Sequence, residues 1–187
     1  MNIFYLHPNP KTCAQQHVDK HVVKMILEYA QLLSTAHRFL DGTEILQTTD
    51  FGRQMKRWQL PDERDAVLYK ATHIQHPSAI WTRQSDANYV FLWQLFSCLL
   101  DEYTFRYEKI HATSRLLKPL EALPLRIASG DFTQPTPAMP DKYKIAGDSV
   151  TSYRNYYRGS KSHLFAWKKR EMPDWLQTSQ LLTDYRR

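Results

Sequence analysis

Apolar residues recur with a helical period through the first forty positions, and the polar residues among them are also in line. In QQHVDKHVVKMILEYAQLLSTAH, residues 15–37, the polar positions His17, His21, Lys24, Glu28, Gln31 and Thr35 are spaced by three or four. At 100° per residue all six fall within about 40° of one line. Val18, Val22, Met25, Tyr29, Leu32 and Ala36 lie on one side of it, and Val23 and Leu27 on the other. A surface helix normally shows a broad polar face. A narrow strip between apolar flanks predicts a central helix whose polar stripe opens into a cleft.

The same pattern read along the chain predicts the other elements. Residues 1–10 read as a short strand or extended arm ending in His7-Pro8-Asn9-Pro10. The prolines keep a helix from starting before Lys11. Thr12-Cys13-Ala14-Gln15 has the form of a capping box. One helix of about 25 residues should follow, to Leu40, with Asp41-Gly42 ending it. Residues 41–61 read as a loop with a helical turn near Phe51–Trp58. A second helix is expected from Pro61 to Thr72, a short one over Ala79–Arg83, and a long one from Ser85 or Asp86 to about His111. Another short helix is expected over Arg115–Leu123, and a further one from a Gly147-Asp148-Ser149 cap to Tyr157. The prolines at 135, 137 and 140 mark residues 129–146 as an extended linker. The expected architecture is mainly α: a compact single-domain helical bundle. It comprises a helical core (1–128), a Pro-rich linker (129–146) and a basic aromatic C-terminal segment packed on the core (147–187).

Composition changes this picture in two ways. With 187 residues, 42% of them hydrophobic and 13% aromatic, the chain can bury a full core. No apolar run approaches the roughly 18 residues a membrane span requires. The N-terminus lacks a basic n-region and a long apolar h-region, so no secretory signal is expected. Cys13 and Cys98 stand alone and read as reduced thiols of a cytoplasmic protein. The charge, +6 overall, is unevenly placed. Fifteen Lys/Arg match fifteen Asp/Glu from Met1 to Asp141, whereas ten face four from Lys142 to Arg187. A basic segment beside a neutral domain suits a polyanion, although a solvated basic tail would read the same way.

Three clusters carry candidate chemistry. In the stripe, Glu28 and Lys24 are four apart and can pair. Burial would raise the Glu pKa and lower the Lys pKa, tuning them as acid–base group and nucleophilic amine. A plain i,i+4 pair on a solvated strip is the alternative. His17 and His21 have the spacing of two helical metal ligands but lack the zincin Glu, and neither a metal nor a cofactor is expected. The second cluster, THIQHPSAIWTRQSDANY (72–89), brings together His73, His76, Trp81, Arg83 and Asn88. Such a loop and helix start can bind phosphate and stack a base, or simply form a packed corner around Trp81. The third, SYRNYYRGSKSHLFAWKKREMPDW (152–175), interleaves aromatics with cations. Arg154, Tyr156, Tyr157, Arg158, Lys161, Lys168, Lys169 and Arg170 are its candidate nucleic-acid contacts.

Together these pieces resemble the bacteriophage-type pyrimidine-dimer DNA glycosylases, small and mostly helical DNA-repair proteins. In that family the first long helix carries a His followed seven residues later by the catalytic Glu, as His21 and Glu28 are spaced here. An aromatic-rich middle helix is comparable to Asn88–His111. A Tyr-Tyr-Gly-Lys-Ser-like segment is similar to Tyr156-Tyr157-Arg158-Gly159-Ser160-Lys161-Ser162, with one Arg inserted. Bacterial relatives share His-Pro pairs like His7-Pro8 and His76-Pro77. The resemblance implies that an amine attacks C1′ of a damaged nucleotide, displacing the base and leaving a Schiff base, with a carboxylate moving protons. The family type uses the α-amine of an N-terminal Thr exposed by Met removal. Asn2 is too large for efficient removal, so the amine falls to Met1 or Lys24. Family arginines beside the Glu are replaced by Leu27 and Gln31.

The implied site is Glu28 as acid–base group, Met1 or Lys24 as amine, and His17, His21 and Gln31 orienting them. His73, His76, Trp81, Arg83 and Asn88 would meet substrate. The expected partner is nucleic acid, double-stranded DNA, with no membrane. The function is then a base-excision glycosylase, a hydrolase or lyase. The competing readings are a nucleotide- or phosphate-ester-directed enzyme with a His cluster, and a nucleic-acid-binding protein without chemistry.

Overall fold

The structure, a computed structural model, describes residues 1–177. The last ten positions of the expected C-terminal segment lie outside the described residues. The fold is mainly α with one two-stranded sheet, in the order α1 (Pro10–Gln16), α2 (Asp19–Asp41), β1 (Thr43–Thr48), β2 (Gln54–Gln59), α3 (Arg64–Val67), α4 (Pro77–Thr82), α5 (Asp86–Tyr107) and α6 (Ser149–Tyr156), with short 3-10 turns between and after.

The extended arm runs inside the protein. Ile3, Phe4, Tyr5 and Leu6 are buried. The arm makes no sheet. Phe4 N–H donates to Tyr29 Oη, and Leu6 N–H to Cys13 Sγ, which itself donates to the Phe4 carbonyl. Buried backbone groups must find partners, and here helical side chains provide them.

The single long N-terminal helix is a correction: two helices stand in its place. Pro10 occupies the first turn of α1, where its missing N–H costs nothing, and Asn9 rather than Thr12 is the cap, accepting from Thr12 N–H. The helix ends at His17, and Val18 is extended (ψ 154°). Buried Arg106 of α5 holds the break. Its guanidinium donates to the carbonyls of Gln15 and His17, to Asp19 and to Glu102. Carbonyls at a helix end need partners, and one five-donor group meets several of them.

Arg38, also buried, produces a second correction. It donates to the carbonyls of Trp58, Asp65, Leu68 and Tyr69. With those carbonyls turned inward, the expected Pro61–Thr72 helix is reduced to the one turn of α3. Residues 41–61 form an antiparallel hairpin rather than a loop with a helical turn, with Thr43 opposite Gln59 and Thr48 opposite Gln54. Gly52 supplies the positive φ (76°) that its turn requires. Phe51 at the tip is 98% exposed.

α5 packs on both α1 and α2 and is capped by Ser85, which accepts from Asn88 N–H. It ends at Tyr107, with Glu108 left-handed. The Arg115–Leu123 helix is a 3-10 turn at Ala112–Leu116. Residues 129–146 are irregular but pinned as a wall. Thr133 bonds Trp81 and Asn88, Ser149 Oγ donates to the Pro135 carbonyl, and Ala138 accepts from Asn2. α6, capped by Asp148, runs into a π-helical turn at Tyr157–Lys161. Among the described residues no helix is long and apolar enough to cross a membrane.

Candidate active site

The break in α1–α2 turns the arm back across α2, so that the chain start meets the middle of the stripe. The Met1 α-amine lies 3.9 Å from Glu28 Oε2, and Asn2 N–H donates to the same oxygen at 3.2 Å. The other oxygen, Oε1, has Lys24 Nζ at 3.3 Å. The two amines differ in setting. Glu28 is 13% exposed and the Met1 side chain is buried, whereas the Lys24 side chain is 70% exposed, where water screens the pair.

Asn2 anchors this geometry. Its Oδ1 accepts from Tyr153 Oη at 2.6 Å and from Ile3 N–H, and its Nδ2 donates to the Ala138 carbonyl at 2.9 Å. Tyr153 is buried and a hydrogen bond also joins it to Thr136. The 134–138 wall, α6 and the chain start are therefore locked together. A depression of about 700 Å³, lined by Gln134 to Pro137 and Lys144 to Ser149 among others, adjoins this wall; Glu28 is outside it. In the sequence Asn2 stands out only as an obstacle to Met removal. No pattern marks it as an anchor, because its partners lie 136 and 151 positions away.

His76 completes the cluster. It is the N-cap of α4, its Nδ1 accepting from Ser78 N–H at 3.2 Å. A neutral ring therefore carries its proton on Nε2. Burial, then the Met1 ammonium and His73, hold its pKa below the ordinary value, while Glu28 acts in the opposite sense. His73 is exposed at φ 49°, in the left-handed region, with Thr72 Oγ1 2.7 Å from its Nδ1. Thr35, the last stripe residue, bonds the Thr72 backbone and ties this loop to α2.

Other expected site residues lie elsewhere. His17 is not on the α2 stripe. It is fully buried, its Nδ1 2.7 Å from the Cys13 carbonyl and its Nε2 3.1 Å from Tyr29 Oη. A carbonyl can only accept, so Nδ1 carries the proton. Burial, its largest influence, pushes the pKa down to about 4. His21 stands two helical turns from Glu28. It lies 2.6 Å from Tyr157 Oη and stacks on Phe4 with 4.1 Å between centroids. Burial, aided by His17 and two lysines, takes it to about 3. Both histidines support the arm and neither meets Glu28. Gln31 is half-buried on the stripe. The stripe is not the floor of a closed cleft, since Val23 and Leu27 on one flank are about 40% exposed.

Trp81 and Asn88 are core residues that hold Thr133, which corrects their assignment to substrate. Arg83 lies over the Phe39 ring, 4.3 Å from its centroid. Tyr157 is buried and cannot offer a stacking face. Arg154 and Arg158 flank Trp175 at 5.2 and 5.4 Å. Lys169 is paired with Glu108, and Arg170 with Glu102. Lys168 lies over Tyr107, and Lys161 over Tyr156. Among the described residues no three His, Cys, Asp or Glu side chains are grouped to hold a metal. Comparison with family models, curated proteins and solved structures finds no match for this chain.

Proposed function

We infer that the chain is a DNA-acting base-excision enzyme of the glycosylase/lyase kind, in which an amine and Glu28 act on a damaged or modified nucleotide. One observation supports the reading above all: the Met1 amine and the Asn2 amide converge on one oxygen of a mostly buried carboxylate. An amine must shed a proton before it attacks carbon, and a carboxylate 3.9 Å away can receive it through one bridging water. The nitrogen lone pair then forms a bond to C1′ as the bond from C1′ to the base breaks. The proton held by Glu28 is available to the departing base. The surplus N–H proton then passes by way of Glu28 to O4′ as the C1′–O4′ bond breaks; the iminium so formed makes the C2′ proton acidic, and the regenerated carboxylate can remove it as the 3′ phosphate leaves. His76, neutral and on the same side, can steady the amine or an adjacent phosphate. The nucleotide must leave the base stack to bring its C1′ to these groups.

Borohydride trapping on abasic and on dimer-containing DNA tests this. The wild type should give a covalent adduct, and two residues added before Met1 should abolish it if Met1 supplies the amine. Lys24→Ala should leave it intact if Met1 supplies the amine and remove it if Lys24 does. Absence of any adduct, together with unchanged DNA cleavage after Glu28→Gln, would refute the reading. In that case His76, within electrostatic reach of Glu28 and of its loop neighbour His73, favours a nucleotide- or phosphate-ester-directed enzyme, detectable as a nucleotide-induced rise in Tm.

A further inference from the structure

Beside the arm, the C-terminal segment builds a strip of rings and ammonium groups at the surface. Tyr143 and Tyr156 lie 5.3 Å apart between centroids, tilted by 48°. Lys142 Nζ is 5.0 Å from the Tyr143 ring and Lys161 Nζ 4.8 Å from the Tyr156 ring. Both tyrosines are partly exposed. Tyr29, Tyr89, Tyr153 and Tyr157 use their hydroxyls in hydrogen bonds within the core, whereas those of Tyr143 and Tyr156 make none among the described residues. The π-helical turn shapes the seat. Gly159 lies flush beneath Tyr143, and a Cβ there would come 2.4 Å from its Cε1.

The strip is joined to the amine through Phe4. That ring is nearly parallel both to His21 (15°) and to Tyr156 (16°, centroids 6.4 Å apart), and Phe4 is three residues from Met1. Three extended residues span about 10 Å, so the strip starts within a few nucleotides of Glu28.

The charge ledger of the segment indicates the kind of nucleic acid. Lys144 is paired with Asp141, Lys169 with Glu108 and Arg170 with Glu102. Arg154 is bonded to the Leu6 carbonyl and Arg158 to Asn155 and the Trp175 carbonyl. Among its described cations, Lys142, Lys161 and Lys168 have only ring contacts for their ammonium groups. A duplex is gripped chiefly through many phosphates. Two partly exposed rings with only three such cations among the described residues suit unpaired bases, which offer a π-face whatever their identity.

We propose that Tyr143 and Tyr156, flanked by Lys142 and Lys161, are a stacking platform for unpaired bases, so that this protein engages single-stranded nucleic acid in preference to intact duplex. The lysines swing from the rings to phosphates as bases take their place. This rests on the reading above only for the role of the neighbouring amine.

Fluorescence anisotropy with a labelled oligothymidylate, an oligouridylate and a blunt duplex tests it. The wild type should bind at least one single strand about tenfold more tightly than the duplex, with a log–log salt slope near −2 from about three cations. Tyr143→Ala and Tyr156→Ala should each weaken binding about tenfold, from the stacking lost per base. Tyr156→Phe should restore it. Gly159→Ala, which keeps both tyrosines but displaces one, should resemble Tyr143→Ala. Duplex bound as tightly as single strand, or wild-type affinity in both alanine variants with folding verified by circular dichroism, would overturn the proposal. The oligothymidylate and oligouridylate arms separate DNA from RNA. Trapping does not enter this readout: binding without an adduct would sink only the lyase reading, and an adduct without platform-dependent binding only the platform.

Discussion

Arg106→Met should destabilise the protein by about 3–5 kcal/mol, the usual cost of removing one partner of a buried ion pair. The guanidinium is fully buried and makes four hydrogen bonds of 2.7–2.9 Å. Glu102 would not be abandoned, because Arg170 still reaches it at 2.9 Å. Asp19 would keep the Lys168 amide. The groups stranded are the Gln15 and His17 carbonyls, each costing about 1–3 kcal/mol if left dry, so the two estimates agree. At about 2–4 °C per kcal/mol for a chain of this size, Tm should fall by roughly 6–20 °C. Arg106→Lys should recover only part of the loss, since one ammonium cannot span targets on α1, α2 and α5. Urea titration followed at 222 nm gives the number, with Lys118→Met on the exposed surface as a control expected within about 0.5 kcal/mol of wild type. If Arg106→Met stays within 1 kcal/mol of wild type, the guanidinium does not hold the α1–α2 break and the account of why the N-terminal helix divides is wrong.

Stability should also fall on acidification. His17 and His37 sit at about 4 and His21 at about 3 in the folded chain, all driven down mainly by burial. An unfolded His near 6.5 takes up a proton first, so stability is complete above that value and is lost as pH drops towards 4, by about 1 kcal/mol per histidine per pH unit. Equal urea midpoints at pH 7 and pH 5 would contradict this. Gly42→Ala should cost about 1–3 kcal/mol by overpacking, because its Cβ would meet the Arg38 carbonyl at 2.5 Å. Gly52→Ala, with open space around it, should cost only about 1 kcal/mol through its positive φ. Thermal melts that reverse this order would show that the hairpin base is not the tighter joint. Tyr153→Phe removes the hydroxyl that holds Asn2 Oδ1 and should slow borohydride adduct formation severalfold while circular dichroism stays unchanged. An unaltered adduct rate would mean that Asn2 does not position the amine.

The helices were legible wherever local periodicity and caps decide: α2 through its apolar positions, α5 through its period and its Ser85 cap, α6 through Asp148. The pairing of Lys24 with Glu28 was legible as well, because both partners sit on one helix. The hairpin was missed, since its strands are exposed and lack a clean alternation of apolar and polar residues. The split of the N-terminal helix and the unwinding after α3 were also out of reach of periodicity. Each depends on a buried arginine gathering carbonyls from segments that are distant in sequence: Arg106 reaches back to Gln15 and His17, and Arg38 forward to Tyr69. The apparent continuity of the polar stripe from His17 to Thr35 was a property of the helical wheel alone, since His17 belongs to the turn before α2. Sequence by itself determined a helical chain with one acidic and one basic side chain four apart on its central helix. Tertiary structure alone decided that the chain start folds back over them, that Asn2 and Tyr153 hold it there, and that five of the eight described cations from Lys142 to Arg170 already bond carboxylates or carbonyls. Those outcomes follow from buried polar groups finding partners across long stretches of chain, which local spacing does not record.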